Sequence, residues 1–206
     1  MAAQDIPKKA IYRLSIYQRC LARLLQNEMA TVSSEALAKA AGVKSTQLRK
    51  DLAYFGQFGT RGLGYNVEML HDMLHDVLGR ARLLPVILAG VGNLGAALLH
   101  YRGFNKEGFE ILAAFDADPH RPDLAGEEIP ILAHTEMPRF IRKNEVKMAI
   151  LTVPGEQSQQ VVNEMVEAGV QAILNFSPTV LQVPDEVAVN SVDLAVELEN
   201  LSYFIR

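Results

Sequence analysis

The stretch ILAGVGNLG, residues 87–95, sets glycines at 90, 92 and 95 in the spacing G-x-G-x-x-G, directly behind the apolar run PVILAG. A buried strand that turns at such a fingerprint into a helix, here NLGAALLHY, commits the chain to a βαβ unit and a parallel sheet. Each glycine has its own task. Gly90 permits the tight turn, Gly92 lets a pyrophosphate approach the backbone, and Gly95 lets the helix pack closely on the strand. Val91, Asn93 and Leu94 complete the loop, and the helix N-terminus stabilises phosphate charge. The second strand, FEILAAFDADP, ends with Asp116, 21 residues beyond Gly95, where an acid that accepts from the adenosine ribose hydroxyls is expected. Asp118 is the alternative. A carboxylate at this place repels a 2′-phosphate, which favours NADH and NAD⁺ over NADP(H).

Two more apolar strands follow, VKMAILTVP and VQAILNFSP. Strand carboxyl ends face the ligand crevice in open α/β sheets. Thr152, Val153 and Pro154 in one, and Asn175 and Phe176 in the other, are therefore candidates to line the nicotinamide half, unless the prolines serve only to break the strands.

The fingerprint stands unusually far into the chain, behind 89 residues of 206. Charge separates this front from the rest. Residues 1–65 hold ten Lys or Arg against four Asp or Glu, a net +6, which leaves −10 for the other 141 residues of a chain whose net charge is −4. A basic module on an acidic protein suggests a polyanionic partner for that module alone. With 49% hydrophobic residues the chain can bury a core. Cys20 is the only cysteine, which excludes a disulfide framework and fits a cytoplasmic location. The start MAAQDIPKKAIYR has no apolar signal core, and the longest uncharged run, Leu83 to Tyr101, is punctuated by Pro85 and three glycines. It reads as strand, turn and helix, so no membrane span is expected.

Within the basic front, KKAIYRLSIYQRCLARLLQN places Ile11, Leu14, Tyr17, Leu21, Leu24 and Leu25 at three- and four-residue steps, an amphipathic helix. TVSSEALAKAAGV predicts a second, short helix with Ser33 as N-cap, Glu35 in the first turn and Gly42 at the stop. KSTQLRKDLAYFG restarts at Ser45 or Thr46, faces Leu48, Leu52 and Phe55 inward, and ends at Gly56. Two short helices joined by a tight glycine turn form a helix-turn-helix unit. On the outer face of its third helix stand Gln47, Lys50 and Tyr54, flanked by Arg49. Arg and Gln suit base edges, and Lys and Tyr suit phosphates. GQFGTRGLGY then holds four glycines in ten positions and predicts a tight hairpin with Arg61 at its tip, able to enter an adjacent minor groove. Helix-turn-helix and ribbon together predict a winged-helix DNA-binding domain. A connecting helix follows over NVEMLHDMLHDVLG, where His71 and His75 lie four apart. With no third ligand beside them, no metal is expected.

Front and back together closely resemble the Rex family of redox-sensing transcriptional repressors. The resemblance runs over essentially the whole chain: YRLSIYQR, SSEALAKAAGV, GVGNLG, FDADP, LTVP, NFSP and, most discriminating, LRKDLAYFGQFGTRGLGY. It implies a homodimer whose winged helices bind a palindromic double-stranded operator and whose Rossmann domains bind NADH or NAD⁺, with release of DNA when NADH binds. By the same resemblance Arg49, Lys50 and Arg61 contact DNA, and with Ser45, Thr46, Gln47 and Tyr54 of the third helix they make up the expected DNA surface. Tyr101, in YRGF, and Asp193, in SVDL, are implied switch groups, with Asp193 crossing from the partner subunit, and Arg19 is the implied first-helix partner of that aspartate. The position after the aspartate, often Phe in the family, is Leu194 here.

The tail DLAVELENLSYFIR carries Leu194, Leu198, Leu201 and Ile205 on one stripe. This helix must cover something, either its own sheet or, as the resemblance implies, the partner subunit. The expected fold class is thus α/β: a winged-helix domain with connecting helix over 1–80, a Rossmann-type parallel-sheet domain over 81–190, and a C-terminal helix over 191–206 exchanged between subunits. A dehydrogenase is the rival reading, but no proton donor or acceptor stands beside the expected nicotinamide site and no substrate domain remains, so no enzyme is expected. A CoA-binding regulatory module is a second rival. Asp116, suited to a ribose diol, speaks against it.

Overall fold

The computed structural model describes residues 6–59, 63–79, 83–121, 124 and 126–205. The chain divides into two compact units, residues 1–82 and 83–206.

The first unit is a small helical domain. Helix α1, Lys8–Gln26, buries Leu14, Tyr17 and Leu21, the stripe expected from their spacing. Strand β1, Thr31–Val32, leads into α2, Ser34–Ala40, whose N-cap Ser33 accepts from the Ala36 N–H at 3.0 Å. Such a cap contributes about 1 kcal/mol. Gly42 makes the turn to α3, Ser45–Ala53, in the left-handed region at φ 68°. Strand β2, Tyr65–Asn66, and helix α4, Val67–Val77, complete the unit, with Asn66 capping α4 through the Met69 N–H. One core joins all four helices: Leu14, Tyr17, Leu21, Leu37, Leu48, Leu52, Val67, Leu70 and Leu74.

One expectation needs correction here. The third helix stops at Ala53 rather than Gly56, with Tyr54 as its cap residue. In the glycine-rich segment residues 56–59 carry no strand and β2 pairs antiparallel with β1, Val32 opposite Tyr65, while Gly59 lies against Gly64 and the Tyr65 ring. The Tyr65 ring is buried in the core of the unit. Arg61 lies outside the described residues.

The second unit is a six-stranded sheet in the order β5-β4-β3-β6-β7-β8, every neighbouring pair parallel. The strands are β3 Leu84–Ala89, β4 Phe109–Asp116, β5 Ile131–Ala133, β6 Met148–Leu151, β7 Ala172–Asn175 and β8 Ala188–Ser191. Helices α5 Asn93–Leu99, α6 Gly103–Lys106, α7 Met137–Lys143 and α8 Gly155–Ala168 connect them. Period-two alternation along β3 sends Ile87 and Ala89 to one face and Val86 and Leu88 to the other. Both faces are thereby buried, as a parallel sheet requires. Strands β5 and β8 escaped the sequence reading because one is three residues long and the other is an edge strand, mostly exposed and without apolar alternation. Helix α9, Leu194–Ser202, carries no buried residue and runs into a short 3-10 turn, Tyr203–Ile205.

Candidate functional site

The sheet reverses direction of growth between β3 and β6, the switch point outside whose strand carboxyl ends open α/β sheets form their ligand crevice. Both walls come from the predicted segments. Gly90 leaves β3 at φ 92°, and a side chain on it would strike Val153 and the Thr152 backbone at 2.9 Å. A Cβ on Gly95 would overlap the Gly90 carbonyl oxygen, so α5 lies directly on the turn. Gly92 differs from both. A Cβ there meets nothing within 4 Å, which leaves room for a group to approach the backbone, and the first N–H groups of α5 have no side-chain cap. The loop therefore fits a pyrophosphate, approached by the backbone N–H groups at the start of α5.

Asp116 closes the other end of this loop. Its Oδ2 accepts from the Val91 N–H at 2.7 Å and its Oδ1 from the Asp118 N–H at 3.0 Å, with the side chain 12% exposed. Asp118 itself is exposed, so Asp116 is the acid built into the site. Arg121, which the sequence reading overlooked, donates from Nη2 to the Val91 carbonyl at 2.5 Å and sets Nη1 3.9 Å from Asp116 Oδ1. Its only signal was position, five residues beyond the strand-end acid, in a loop without periodicity.

Thr152 and Asn175 hold the walls rather than facing the crevice. The Thr152 hydroxyl sits 2.6 Å from the Gly90 carbonyl and 3.0 Å from that of Ala89, so its proton fastens β6 to the glycine turn. Asn175 is fully buried: Nδ2 donates to the Thr179 carbonyl and to Ser191 Oγ, and Oδ1 accepts from the Ser177 N–H at 2.8 Å. That commitment corrects its expected role as a direct cofactor contact. A buried amide is stable only when its polar atoms are paired, and here the turn and β8 pair them. Pro154 is the N-cap of α8, and Phe176 stays half-buried beside Leu174. Tyr101, 58% exposed, lies across Gly103 and meets Phe104 edge-on at 5.0 Å. Asp193 is exposed and caps α9, accepting from the Ala195 and Val196 N–H groups.

In the first unit α3 presents Thr46, Arg49 and Lys50 outward, with Ser45, Gln47 and Tyr54 half-buried. Arg49 reaches back to α2, donating to Ser34 Oγ at 2.9 Å and lying 3.5 Å from Glu35. Beneath this surface is a buried ionic network absent from the sequence reading. Arg13 on α1 grips Asp51 on α3 with two hydrogen bonds of 2.6 and 2.7 Å, while Tyr17 Oη and Gln47 Nε2 each donate to Asp51 at 2.8 Å. Burial raises the Asp51 pKa, but the bonds from Arg13, Tyr17 and Gln47 outweigh it and hold the carboxylate below its ordinary value of 3.8. Burial, helped by the bond to Asp51, pushes the Tyr17 phenol up and keeps it neutral. Gln47 is thus half-buried, with its amide nitrogen turned to Asp51. Its amide nitrogen is bound to an acceptor-only group, which leaves Oε1 as the atom free to meet a base. Arg19 is exposed on α1. His71 and His75 stack at 6.2 Å, and His71 Nε2 lies 3.2 Å from Gln18. Among the described residues no group of three His, Cys, Asp or Glu side chains converges as metal ligands, and no helix is long and apolar enough to cross a membrane.

Comparison with known proteins agrees with this geometry. Residues 5–53 match the family described as putative DNA-binding protein N-terminus, and residues 82–179 that described as CoA binding domain. The chain is 46% identical to the redox-sensing transcriptional repressor Rex of Pelotomaculum thermopropionicum, covering 98% of this chain and 95% of that protein. With the Rex of Carboxydothermus hydrogenoformans it shares 47% over 100% and 99%. Among solved structures, that of RSP in complex with β-NAD⁺ and operator DNA superposes with a TM-score of 0.90 at 36% identity, covering 98% of this chain and 93% of that one. RSP in complex with β-NADH gives 0.86 at 35%, covering 98% and 95%. Identity at this level across nearly the full length, through the helical unit and the glycine crevice alike, places the chain in the Rex family of redox-sensing transcriptional repressors.

Proposed function

We infer that this chain is a redox-sensing repressor, not an enzyme: as a homodimer it binds a palindromic operator through the winged helices and releases it when the crevice takes up NADH. The observation that carries the reading is the joining, in one Rex-family chain, of an exposed Thr46, Arg49 and Lys50 surface with a glycine crevice closed by Asp116. Gly90, Gly92 and Gly95, with Val91, Asn93 and Leu94, hold the pyrophosphate, and Asp116 accepts from the ribose diol. Val153, Pro154 and Phe176 line the nicotinamide half, and Thr152 and Asn175 act through the turns they fasten. Bound there, the dinucleotide supplies only its redox state; no hydride need leave it. Ser45, Thr46, Gln47, Arg49, Lys50, Tyr54 and Arg61 meet DNA, a partner that sets the protein's work in the cytoplasm. Tyr101, Asp193 and Arg19 form the switch.

Helix α9 supports the dimer. Leu194, Leu198, Leu201, Tyr203, Phe204 and Ile205 are all exposed, so this apolar stripe is not covered by its own sheet. A contiguous apolar surface of this kind marks a binding face. With α9 seated on the partner, the nucleotide site and the spacing of the two recognition helices belong to one assembly. Those helices must lie about one DNA turn, roughly 34–36 Å, apart to reach both half-sites. A coupling of about 1–3 kcal/mol changes operator affinity roughly 5- to 150-fold, and DNA weakens NADH binding by the same factor. Leu198→Lys together with Leu201→Lys should give a monomer by sedimentation velocity; a dimer that persists would remove α9 from the interface.

The reading is tested by fluorescence anisotropy of a labelled operator, selected from a random pool by the protein itself. NADH should release it at concentrations where NAD⁺ does not, and Arg61→Ala should weaken the operator while NADH affinity stays constant. Operator binding indifferent to both nucleotides, or CoA binding in place of NADH, would overturn it.

A further inference from the structure

We propose that Asp51 fixes the amide of Gln47 so that this side chain reads the operator as a hydrogen-bond acceptor. The base it selects presents an exocyclic amino group in the major groove, that is, adenine or cytosine. The proposal rests on the reading of α3 as the helix that meets the operator. Gln47 is half-buried, and its Nε2 lies 2.8 Å from Oδ1 of Asp51, four residues on in α3. Asp51 is 1% exposed and also accepts from Arg13 and Tyr17, which keep it ionised. An ionised carboxylate only accepts, so the amide atom that faces it must be the nitrogen. An exposed glutamine can turn either amide atom to a base; here a buried charge makes the choice.

The neighbouring side chains sharpen the consequence. Arg49 and Lys50, both exposed on α3, carry donors only and suit guanine or phosphate. Neither can accept from an amino group. An unconstrained glutamine meets adenine as a fork, with Oε1 accepting from N6 and Nε2 donating to N7. With Nε2 turned to Asp51 the fork loses its donor arm, and Oε1 remains to accept from adenine N6 or cytosine N4. Thymine and guanine present no amino group in the major groove and would set oxygen or a methyl against Oε1. Gln47 is thus the residue that contacts the base, and Asp51 is the positioning residue behind it.

The test uses the full-length protein and the operator that it selects from a random pool, with affinity read by anisotropy at fixed salt. Each adenine and cytosine of the half-site is replaced in turn by its analogue without the amino group, purine or 2-pyrimidinone, and each purine by its 7-deaza form. At one position amino deletion should weaken binding about 5-fold per half-site, the worth of one neutral hydrogen bond. Gln47→Ala should be indifferent to that same deletion. No 7-deaza replacement should carry a cost that disappears with Gln47→Ala. A 7-deaza cost that does disappear means that the amide nitrogen donates to a base, and it overturns the assignment. So does a half-site in which no amino deletion couples to Gln47. Should Gln47→Ala fail to fold, Gln47→Met keeps the length of the side chain without its polar atoms and takes its place in the same cycle. A protein that selects no operator would instead remove the reading of α3 itself.

Discussion

Asp51→Ala should abolish operator binding at ordinary temperature by loosening the first unit, while NADH still binds the second. Asp51 is 1% exposed and accepts from three side chains on two helices, so its loss leaves the Arg13 guanidinium without its carboxylate. Breaking a buried pair costs about 3–5 kcal/mol, and because Arg13 remains 22% exposed, about 3 kcal/mol is expected. For a unit of this size that lowers Tm by more than about 10 °C. The sign of the pH dependence follows from the depressed Asp51 pKa. Its stabilisation is fully present above the ordinary value of 3.8 and disappears only as the pH falls through the lower value of the folded state. Calorimetry of the variant should show one transition lowered and the other unmoved. Retention of full operator affinity would show that the network does not position α3.

Gly95→Ala should reduce NADH affinity by about 100-fold, equivalent to about 2.7 kcal/mol, and leave an operator complex that NADH no longer releases. The added methyl overlaps the Gly90 carbonyl and comes within 3.0 Å of Thr152 Oγ1, so α5 must move off the turn that shapes the crevice. Overpacking of this kind costs about 1–3 kcal/mol of stability as well. Gly92→Ala supplies the contrast. Its backbone is at an ordinary φ of −73° and the methyl meets nothing within 4 Å, so Tm should hold while NADH binding weakens by obstruction alone. Calorimetry and nucleotide titration on both variants separate the two effects. Equal losses of Tm would mean that Gly92 is a packing glycine, and unaltered NADH binding by either would displace the pyrophosphate from this loop.

Local patterns made much of this protein legible in advance. Helix α2 begins where Ser33 announces it, because an N-cap is a contact between near neighbours in the chain. The glycine turn and Asp116 were readable for a related reason: a short strand, a turn and a helix leave few ways to arrange them, and the next strand must return alongside. Side-chain periodicity likewise marked Leu14, Tyr17 and Leu21 as core.

Where the reading failed, a partner distant along the chain takes part in the contact. Asp51 stands in α3 with no local signal of its burial. Its burial depends on Arg13, 38 residues earlier, whose charge makes that burial tolerable. Gln47 turns inward for the same carboxylate. Asn175, expected to face a ligand, is claimed by Thr179 and Ser191, and β2 finds its strand partner in β1. By itself the sequence determined the helices of the first unit, the glycine turn and the acid that ends β4, since each is written in residues a few positions apart. Which polar side chains face a ligand and which hold the walls was decided only by the tertiary structure, because a buried polar group must be paired and its partner is supplied by whatever the fold brings against it.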